Sequence, residues 1–438
     1  MAAVVLATDF LPKKLRVGLF ADSALQPRWV VEAFARVARC EFAEIALIRT
    51  GDAPPAAVPW LYRTGLDTPL ELARYVPHQN LHDLDVAFAL GALDDTAIDG
   101  IANFGVWRFY GDGVREVVDG APLTSSGIKV RLAPGAEARL AYQSWSRTDP
   151  LSVKRNRARL LAKSADFALR ALRDAERFGH GWLGQCKSIP EQGRTAISPY
   201  AALATLTRNR GLSLISSVLN VEERFAAFRP GNGAPPTGLE GFTRLPGRNP
   251  FPMRGQIFFE QDGRIAVSDL STTTFLMEGA YPFLVEEGAE LFMAASGKLY
   301  RCLEFPRRWQ LEGELPCGNA TLHRATDRWW LFGTGAFEEE LELYYAPKLG
   351  GPWQPHPRNP VKSDARNARP AGRLYWRNGA LYRPAQMQGL AVSINRVVRL
   401  TPHDYAERQV QIIPGLRGFN QSSDLTVVDA VTRRRRFT

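Results

Sequence analysis

The second half of the chain, from Leu212 onward, alternates short apolar strands with tight turns, and this repetition constrains the fold more than any other feature. Hairpin-type turn signals lie at Asp262-Gly263, Glu287-Gly288, 325–328 and Asn378-Gly379. Strands with aromatic residues at comparable positions stand between these turns. Repeated hairpins of this kind predict an all-β domain built from similar units, and the pattern alone leaves the choice between a propeller and a sandwich open.

Residues 1–150 follow a different pattern, in which apolar strands alternate with helical segments. Leu15, Val17 and Leu19 have the period of a strand, and residues 27–40 have the apolar spacing of a helix. Further strands are predicted at 45–48, 84–90 and 105–110, with a short helix at 95–103. This order predicts an α/β domain with an open, mostly parallel sheet.

A chain of 438 residues is longer than one hydrophobic core usually serves, so two domains are expected. One long helix is predicted over residues 150–178, because Asp149 can cap it, Pro150 suits its first turn and Gly179 can end it. We therefore divide the chain into an α/β domain, a helical linker with the start of the second domain, and an all-β domain, at 1–150, 151–211 and 212–438.

The net charge of +10 comes from a composition in which arginine outnumbers lysine. The planar guanidinium group suits phosphate and carboxylate, so an anionic small ligand is favoured. Basic residues are spread along the chain, so no nucleic-acid partner is predicted. No run of about eighteen apolar residues occurs, so no membrane span is predicted. The N-terminal apolar run precedes its basic pair, which reverses a secretion signal and predicts a cytoplasmic protein.

The potential metal ligands are scattered. Cys40, Cys186, Cys302 and Cys317 are far apart and lack CxxC spacing, and the six histidines form no close set. We therefore predict neither a metal site nor a disulfide framework, and the sequence identifies no cofactor.

Residues 351–386 combine arginines with aromatic residues, which favours an anionic or sugar-like ligand. Arg369 and Arg383 each precede a proline, so their backbones are biased toward an extended conformation from which a side chain can reach a ligand. His356 lies between two prolines and is a candidate for substrate contact. The alternative role for the arginines is structural, through hydrogen bonds to backbone carbonyl groups.

A second group of donors, at residues 144–157, surrounds the predicted start of the long helix. Backbone N–H groups at a helix start favour anions, so Arg147 and Arg155 are candidates for binding a phosphate or a carboxylate. The alternative is a solvated, positively charged helix, and the sequence leaves both interpretations open.

Six segments of the second half narrow the choice of fold. They are AYPFLV at 280–285, LYRCLEFPRRW at 299–309, WWLF at 329–332, GPWQPHPRNPV at 351–361, RPAG at 369–372 and LYRPAQ at 381–386. In this order they resemble the five-bladed β-propeller that is related to glycoside hydrolase folds and found at the N-terminus of plant glucosamine inositolphosphorylceramide transferases. The resemblance covers about residues 212–432 and implies a propeller and a sugar-related ligand.

In bacterial members of that family a similar propeller follows a domain that resembles the N-terminal half of formyltransferases. Residues 15–150 are similar to it in the order of three segments, LRVGLFADS at 15–23, LDVAFAL at 84–90 and FGVWRFYGD at 104–112. The resemblance implies a formyltransferase-like open sheet, with the last segment near the site of formyl transfer.

Formyltransferases that resemble this domain use an Asn, a His and an Asp. Asn103 and Asp112 are the catalytic candidates here, with Arg108 and Tyr110 as candidates for ligand contact. Tyr110 stands where related sequences carry histidine, and a phenol does not change its charge near pH 7 as an imidazole does. We therefore expect a retained scaffold, or a site for another small molecule, rather than active formyl transfer.

In propeller glycosidases, carboxylates at the inner ends of different blades carry out hydrolysis. The resemblance places Asn249 and Asn319 where relatives have aspartate, and an amide neither exchanges a proton usefully nor attacks an anomeric carbon. Glu278 is the remaining catalytic candidate, although a single Glu on a turn also suits a solvent-facing position. The further residues predicted to line a central funnel are Tyr281, Gln386 and Asn420.

These observations predict a biosynthetic protein that binds a sugar or sugar-phosphate conjugate and modifies it in surface-glycan or specialised-metabolite assembly. Group transfer is expected rather than hydrolysis. One alternative is a noncatalytic glycan-binding pseudoenzyme. A third hypothesis is an N-formyltransferase that depends on 10-formyltetrahydrofolate.

Overall fold

The computed structural model describes residues 14–189, 197–231, 233, 235–325, 327–388 and 390–435. The chain divides into two compact units, unit 1 (Met1–Gly211) and unit 2 (Leu212–Thr438). The N-terminal segment on which the cytoplasmic prediction rests lies almost wholly outside the described residues. No helix in the described part of the chain is long and apolar enough to cross a membrane.

Unit 1 contains one large sheet with helices around it. Its strands are β1 (Leu15–Ala21), β2 (Leu25–Pro27), β3 (Ala43–Thr50), β4 (Pro69–Glu71), β5 (Val86–Leu90), β6 (Val106–Tyr110), β7 (Leu123–Arg131), β8 (Ala138–Arg147) and β9 (Ser188–Ile189). Its helices are α1 (Arg28–Val37), α2 (Leu72–Tyr75), α3 (Val114–Val118), α4 (Val153–Ser164), α5 (Phe167–Gln185) and α6 (Pro199–Leu219), of which α6 runs past the boundary between the units.

The large sheet has the strand order β3-β1-β5-β6-β7-β8-β9. The pairs among β3, β1, β5 and β6 are parallel, whereas β6/β7, β7/β8 and β8/β9 are antiparallel. The predicted mostly parallel sheet is therefore corrected to a mixed one. The reason is local, because the chain turns directly from β7 into β8 and both strands join the same edge of the sheet.

The central strands of this sheet are buried on both faces. Alternate residues of a strand point to opposite faces. Accordingly Val17 and Phe88 join one apolar cluster with α1 and α5, whereas Phe20 and Ala87 join another on the opposite face. This double burial explains why the central strand β5 is a continuous apolar run rather than an alternating one.

The segment predicted as one linking helix over 150–178 forms two helices, α4 and α5. The Ser152 hydroxyl, rather than Asp149, caps α4 by accepting a hydrogen bond from the Arg155 backbone N at 3.2 Å. Gly179 has non-helical φ and ψ values of 62° and -160° and divides α5 into two helical stretches, at the position where a helix end was predicted. Phe167 and Leu172 of α5 are fully buried in the main core of unit 1, so these helices are part of unit 1 rather than a linker.

Unit 2 is a five-bladed β-propeller, as predicted. Four blades are formed in chain order by β12 (Arg248–Met253), β13 (Gln256–Gln261), β14 (Arg264–Ser268) and β15 (Thr273–Glu278); β16 (Phe283–Glu287), β17 (Glu290–Ala295), β18 (Lys298–Glu304) and β19 (Arg308–Glu314); β20 (Gly318–Ala325), β21 (Arg328–Thr334), β22 (Glu340–Ala346), β23 (Gln354–Pro355) and β24 (Lys362–Ser363); and β25 (Tyr375–Arg377), β26 (Ala380–Met387), β27 (Ala391–Leu400) and β28 (Tyr405–Pro414).

The fifth blade joins the two ends of unit 2. It combines β10 (Asn220–Pro230) and β11 (Thr243–Leu245) with β29 (Leu416–Gln421) and β30 (Leu425–Arg435), in the order β11-β10-β30-β29. β10 and β30 are antiparallel partners along their whole lengths, from Asn220 opposite Arg435 to Pro230 opposite Leu425. This pairing closes the ring of blades.

Candidate functional site

One cavity in unit 2 receives residues from all five blades. The lining residues are Asn249, Pro250, Phe251, Tyr281, Pro282, Phe283, Asn319, Ala320, Thr321, Pro370, Ala371, Gly372, Gln386, Gly418, Asn420 and Asp429. The cavity has a volume of about 60 Å³, less than half of the roughly 150 Å³ that holds a benzene molecule in an engineered protein core. A ligand as large as a sugar would therefore place one substituent in the cavity and lie across its mouth.

The blades repeat one local arrangement at this cavity. Asn249, Tyr281 and Asn319 have φ values of 51°, 55° and 49°, and each directly precedes further lining residues. Arg369 and Arg417 likewise precede Pro370 and Gly418, which line the cavity. We call these five residues, Asn249, Tyr281, Asn319, Arg369 and Arg417, the inner ring. A left-handed backbone is costly for a residue such as tyrosine, and such conformations cluster at ligand sites.

A buried carboxylate, that of Asp429, lies at the cavity beside Asn249. The Asp429 side chain is 1% exposed. Its Oδ2 atom accepts a hydrogen bond from the Asn249 backbone N at 2.9 Å, and its Oδ1 atom accepts one from Arg224 Nε at 2.8 Å. Arg224 Nη2 also contacts Oδ2. Asp429 is therefore engaged by a cation and a backbone donor, and its oxygen atoms position the inner ring.

Arg224 and Glu260 extend this network around the Asn249 amide. Arg224 Nη2 donates to Asn249 Oδ1 at 2.8 Å, and Asn249 Nδ2 donates to Glu260 Oε2 at 2.9 Å. Glu260 also forms an ion pair with Arg248. Burial lowers the pKa of Arg224, but the hydrogen bond and charge of Asp429 outweigh burial and raise that pKa above its ordinary value. The guanidinium group thus stays charged, and both polar atoms of the Asn249 amide have a charged partner.

Two other amide side chains at the cavity lack such hydrogen bonds. The side chains of Asn319 and Gln386 line the cavity and make no hydrogen bond to any residue that the structure describes. Asn420 differs, because its Oδ1 accepts from the Arg373 backbone N at 2.7 Å and its Nδ2 donates to the Pro250 carbonyl at 2.9 Å. Asn420 therefore ties inner strands together, whereas Asn319 and Gln386 offer donors and acceptors to a ligand.

The arginine side of the inner ring is electropositive. Arg369 Nη2 donates to the Tyr281 hydroxyl at 2.5 Å, and Arg369 Nη1 contacts Glu338 Oε2 at 3.0 Å. The Arg417 Nε atom is buried without a hydrogen-bond partner among the described residues. Burial, and after it the charge of Arg224, lowers the pKa of Arg417 below its ordinary value. Arg417 therefore has one buried donor, Nε, that no described residue satisfies, and the charge of Asp429 only partly offsets these effects on its pKa.

Arg383, predicted to bind substrate, is a structural residue. Its side chain is fully buried, donates to Glu407 Oε2 at 2.8 Å, and reaches the carbonyl groups of Asn367 and Ala368 at 2.7 and 3.2 Å. Residues three apart on a strand point to opposite faces, so Arg383 and Gln386 of β26 do not share one. Gln386 lines the cavity and its contact with substrate stays a prediction, whereas Arg383 is engaged by Glu407 and two carbonyl groups, which contradicts the prediction for Arg383.

His356 and Glu278 also lie away from the cavity. His356 is 2% exposed; its Nε2 atom donates to the Thr401 carbonyl at 3.2 Å and its Nδ1 atom accepts from the Arg358 backbone N at 3.1 Å. Burial lowers the pKa of His356 to about 4, so the ring is neutral at pH 7. Glu278 is exposed at the end of β15, opposite Arg264. The structure therefore corrects both predictions, of substrate contact and of catalysis.

In unit 1 the structure separates the two predicted catalytic residues. Asn103 precedes β6 and donates to Asp85 Oδ1 at 3.3 Å, whereas Asp112 follows β6 and accepts from the Val114 backbone N at 3.1 Å at the start of α3. They lie beyond opposite ends of one strand, which contradicts a shared catalytic site. Asp112 acts locally, as a partner for the first turn of a helix.

Tyr110 and Arg108 lie on β6 itself. The Tyr110 hydroxyl is 3.2 Å from Ser125 Oγ, which also accepts a hydrogen bond from Gln143 Nε2 at 3.0 Å. Burial raises the pKa of Tyr110, so the phenol stays protonated at pH 7. Arg108 Nη1 donates to the Gly91 carbonyl at 2.9 Å and thereby fixes the loop after β5. These contacts provide positioning, without a group that exchanges protons near neutrality.

The two basic residues near α4 are exposed. Arg147 ends β8, and Arg155 Nε donates to Asp149 Oδ2 at 2.7 Å with 68% of its side chain exposed. The anion site predicted at this helix start stays a prediction. Among the described residues, no group of three or more His, Cys, Asp or Glu side chains is placed to hold a metal ion.

Sequence reasoning missed Asp429, Arg224 and Arg417. Asp429 is 180 residues from Asn249 in the chain and reaches it only because the last strand of unit 2 joins the first blade-closing strand. One signal was available, since Asp429 is a lone acid within the apolar strand β30. A charge in a buried strand needs a partner, so that pattern predicts a buried ion pair.

The fold and the cavity define unit 2 as a five-bladed propeller with a polar axial site. Residues 274–419 match the protein-family model described as glucosamine inositolphosphorylceramide transferase 1, N-terminal. This match, which spans less than half of the chain, confirms the predicted resemblance for that range.

Two plant proteins of that name are similar to a comparable fraction of this chain. Glucosamine inositolphosphorylceramide transferase 1 of Oryza sativa subsp. japonica is 33% identical over 154 residues, which cover 30% of this chain and 21% of the relative. The protein of that name from Arabidopsis thaliana is 28% identical over 152 residues, which cover 30% of this chain and 20% of the relative. The chain thus spans about a fifth of the length of these relatives. Among solved structures, Zg3597, a family 117 glycoside hydrolase of Zobellia galactanivorans, has a TM-score of 0.31 at 12% identity and covers 45% of this chain and 76% of its own.

Proposed function

We propose that unit 2 binds a sugar at the inner ring and that the protein serves glycan assembly by group transfer rather than hydrolysis. The observation that carries this proposal is that the amide side chains of Asn319 and Gln386 line the cavity without hydrogen bonds to described residues. The buried carboxylate there, Asp429, already accepts hydrogen bonds from within the protein. The similarity of residues 274–419 to the N-terminal part of proteins named as sugar-related transferases supports the same substrate class.

Hydrolysis is disfavoured by the chemistry of the inner ring. Glycosidases need two carboxyl groups on either side of the scissile bond, one as an acid and one as a base or nucleophile. The inner ring has amides at Asn249 and Asn319, and Asp429 accepts hydrogen bonds from Arg224 and a backbone N–H. A carboxylate whose oxygen atoms already accept these hydrogen bonds is a poor nucleophile.

Removing the free amides tests the sugar site. We expect Asn319→Ala and Gln386→Ala each to weaken binding of a pyranose such as N-acetylglucosamine about fivefold, because each loses hydrogen bonds worth about 1 kcal/mol. Isothermal titration calorimetry measures the change. Gln310→Ala, at an exposed position of the outer strand β19, is the matched control and should bind as the wild type does. Failure of every sugar in a neutral and anionic panel to bind would refute the proposal.

A second candidate function is noncatalytic glycan binding, in which unit 2 presents a sugar to a partner. The engagement of both Asp429 and Glu260 by arginines favours it. Turnover of a sugar donor, abolished by one inner-ring substitution and retained in Gln310→Ala, would eliminate this candidate. That the protein works in the cytoplasm stays a prediction under either function.

For unit 1 we propose a formyltransferase-like scaffold without formyl-transfer activity. The support is the separation of Asn103 from Asp112 and the protonated Tyr110. Incubation with 10-formyltetrahydrofolate and candidate amino sugars should therefore give no N-formylated product by mass spectrometry, with an active formyltransferase as the positive control. Formylation that Tyr110→Phe abolishes would contradict this expectation and make the 10-formyltetrahydrofolate-dependent reaction the function of unit 1.

A further inference from the structure

Three arginines near the cavity, Arg224, Arg369 and Arg417, differ in how far carboxylates neutralise their charges. Arg224 is paired with Asp429, whose side chain is 1% exposed. Arg369 is paired with Glu338, but 76% of the Glu338 side chain is exposed to solvent, and an ion pair with so exposed a partner is weak. Arg417 forms no ion pair with a carboxylate of the described residues, and its Nε atom is buried without a partner.

A buried donor of this kind is costly unless something satisfies it. An unpaired buried polar atom is rare in folded proteins, and in Arg417, which is partly exposed as a whole, that atom is Nε. Arg417 lies within electrostatic reach of Arg369, Tyr281 and Asp429, all of which belong to the cavity or to the inner ring. The inner ring therefore presents one guanidinium group that is nearly free, next to another whose partner is easily displaced.

We infer that Arg417 and Arg369 together bind an anionic oxygen group, a phosphoryl group or a carboxylate, carried by the sugar at the inner ring. This inference rests on the proposed sugar-binding function and specifies its substrate class. Guanidinium groups match both anions because they donate two parallel hydrogen bonds in a planar fork. The Tyr281 hydroxyl, held by Arg369 at 2.5 Å, is placed to add a donor to the same group.

The size of the cavity agrees with a ligand in which the anionic group and the sugar ring bind at different places. At about 60 Å³ it admits a substituent rather than a whole sugar. Asn319 belongs to the third blade, whereas Arg369 and Arg417 belong to the segments that enter the fourth and the fifth. The anionic group and the hydroxyl groups of one ligand would therefore contact neighbouring blades of the ring.

Calorimetry on the full chain tests the inference with four probes, which are N-acetylglucosamine, N-acetylglucosamine 1-phosphate, glucuronic acid and inorganic phosphate. We expect at least one anionic sugar to bind about tenfold tighter than the neutral sugar, and a rise in salt to weaken only the anionic probes. Comparing the affinities of N-acetylglucosamine 1-phosphate and glucuronic acid shows whether the site prefers a phosphoryl group or a carboxylate. Arg417→Gln should abolish the preference, and Arg417→Lys should retain part of it.

The control is Arg396→Gln, which removes the same charge from an exposed position of β27 and should leave every affinity unchanged. Arg417 forms no ion pair with a described carboxylate, so Arg417→Gln breaks none and its thermal midpoint should match that of the wild type; a loss of binding at an unchanged midpoint cannot be ascribed to unfolding. Equal affinities for neutral and anionic sugars, or a preference that survives Arg417→Gln, would overturn the inference and leave the sugar site standing. Binding of phosphate that depends on Arg417, without binding of any sugar, would support the anion site and overturn the proposed sugar function.

Discussion

Replacing Glu407 by Gln should lower the free energy of unfolding of unit 2 by about 3–5 kcal/mol, because it leaves the fully buried Arg383 and the partly buried Lys362 without their counter-ion. Glu407 accepts hydrogen bonds from Arg383 Nη2 and Lys362 Nζ, both at 2.6 Å, and from the Tyr405 hydroxyl at 2.5 Å. The side chains of Arg383 and Glu407 are 0% and 3% exposed. Chemical denaturation followed by far-UV circular dichroism measures the change.

The same cluster gives a pH dependence that checks its cause. Burial raises the pKa of Glu407, but Arg383 and Lys362 outweigh burial and lower it from 4.5 to about 2. A carboxyl group with a depressed pKa stabilises the fold above its unfolded pKa, so this contribution is lost as the pH falls from about 4.5 to about 2. Glu407→Gln should flatten that part of the stability curve. Glu290→Gln, at an exposed ion pair with Arg301, should cost less than about 1 kcal/mol, and an equal effect of the two substitutions would contradict the prediction.

The second large effect is expected at the inner ring, where Asp429→Asn should destabilise unit 2 by about 2–3 kcal/mol. The substitution keeps the shape of the side chain but leaves Arg224 without a counter-ion and weakens the acceptor of the Asn249 backbone N–H. Because Arg224 keeps 23% of its side chain exposed, water offsets part of the loss, and the effect should be smaller than that of Glu407→Gln.

A double-mutant cycle separates the ion pair from other effects of this substitution. Asp429→Asn combined with Arg224→Gln should be less destabilising than the sum of the single substitutions, with a coupling energy of about 1–3 kcal/mol. Purely additive effects would show that the Asp429–Arg224 contact contributes nothing of its own. Denaturation curves of the four proteins at one pH provide the comparison.

Much of the fold follows from sequence because local signals carry it. The hairpin dipeptides at Asp262-Gly263 and Asn378-Gly379 lie in the turns β13–β14 and β25–β26, since only a few residue types adopt the backbone of a two-residue turn. The strand pattern of unit 1 likewise gave β1, β3 and β5. The failures are at places where helix signals compete, as between Asp149 and Ser152 at the start of α4, or where no strand was predicted, as at β7 and β8, which pair with each other in antiparallel fashion.

The candidate site is less predictable, because it combines residues from opposite ends of unit 2. Asn319, Gln386 and Tyr281 could be chosen from their motifs, and each lines the cavity. Arg383 belongs to the same motif as Gln386, but sequence alone does not say which residue of a blade strand faces the axis. Asp429 and Arg417 carry no motif at all, and only ring closure brings them to Asn249.

Closure of the ring by β10 and β30 also decides when during synthesis a ligand site can exist. Arg224 and Asp429 are 205 residues apart in the chain, so the first strand of unit 2 leaves the ribosome long before its partner. Pairings of such long range form slowly, and an unpaired strand edge is prone to wrong association. A chain that lacks β29 and β30 therefore has four blades but neither Arg417 nor Asp429, and the proposed sugar site can form only after the last strand has paired.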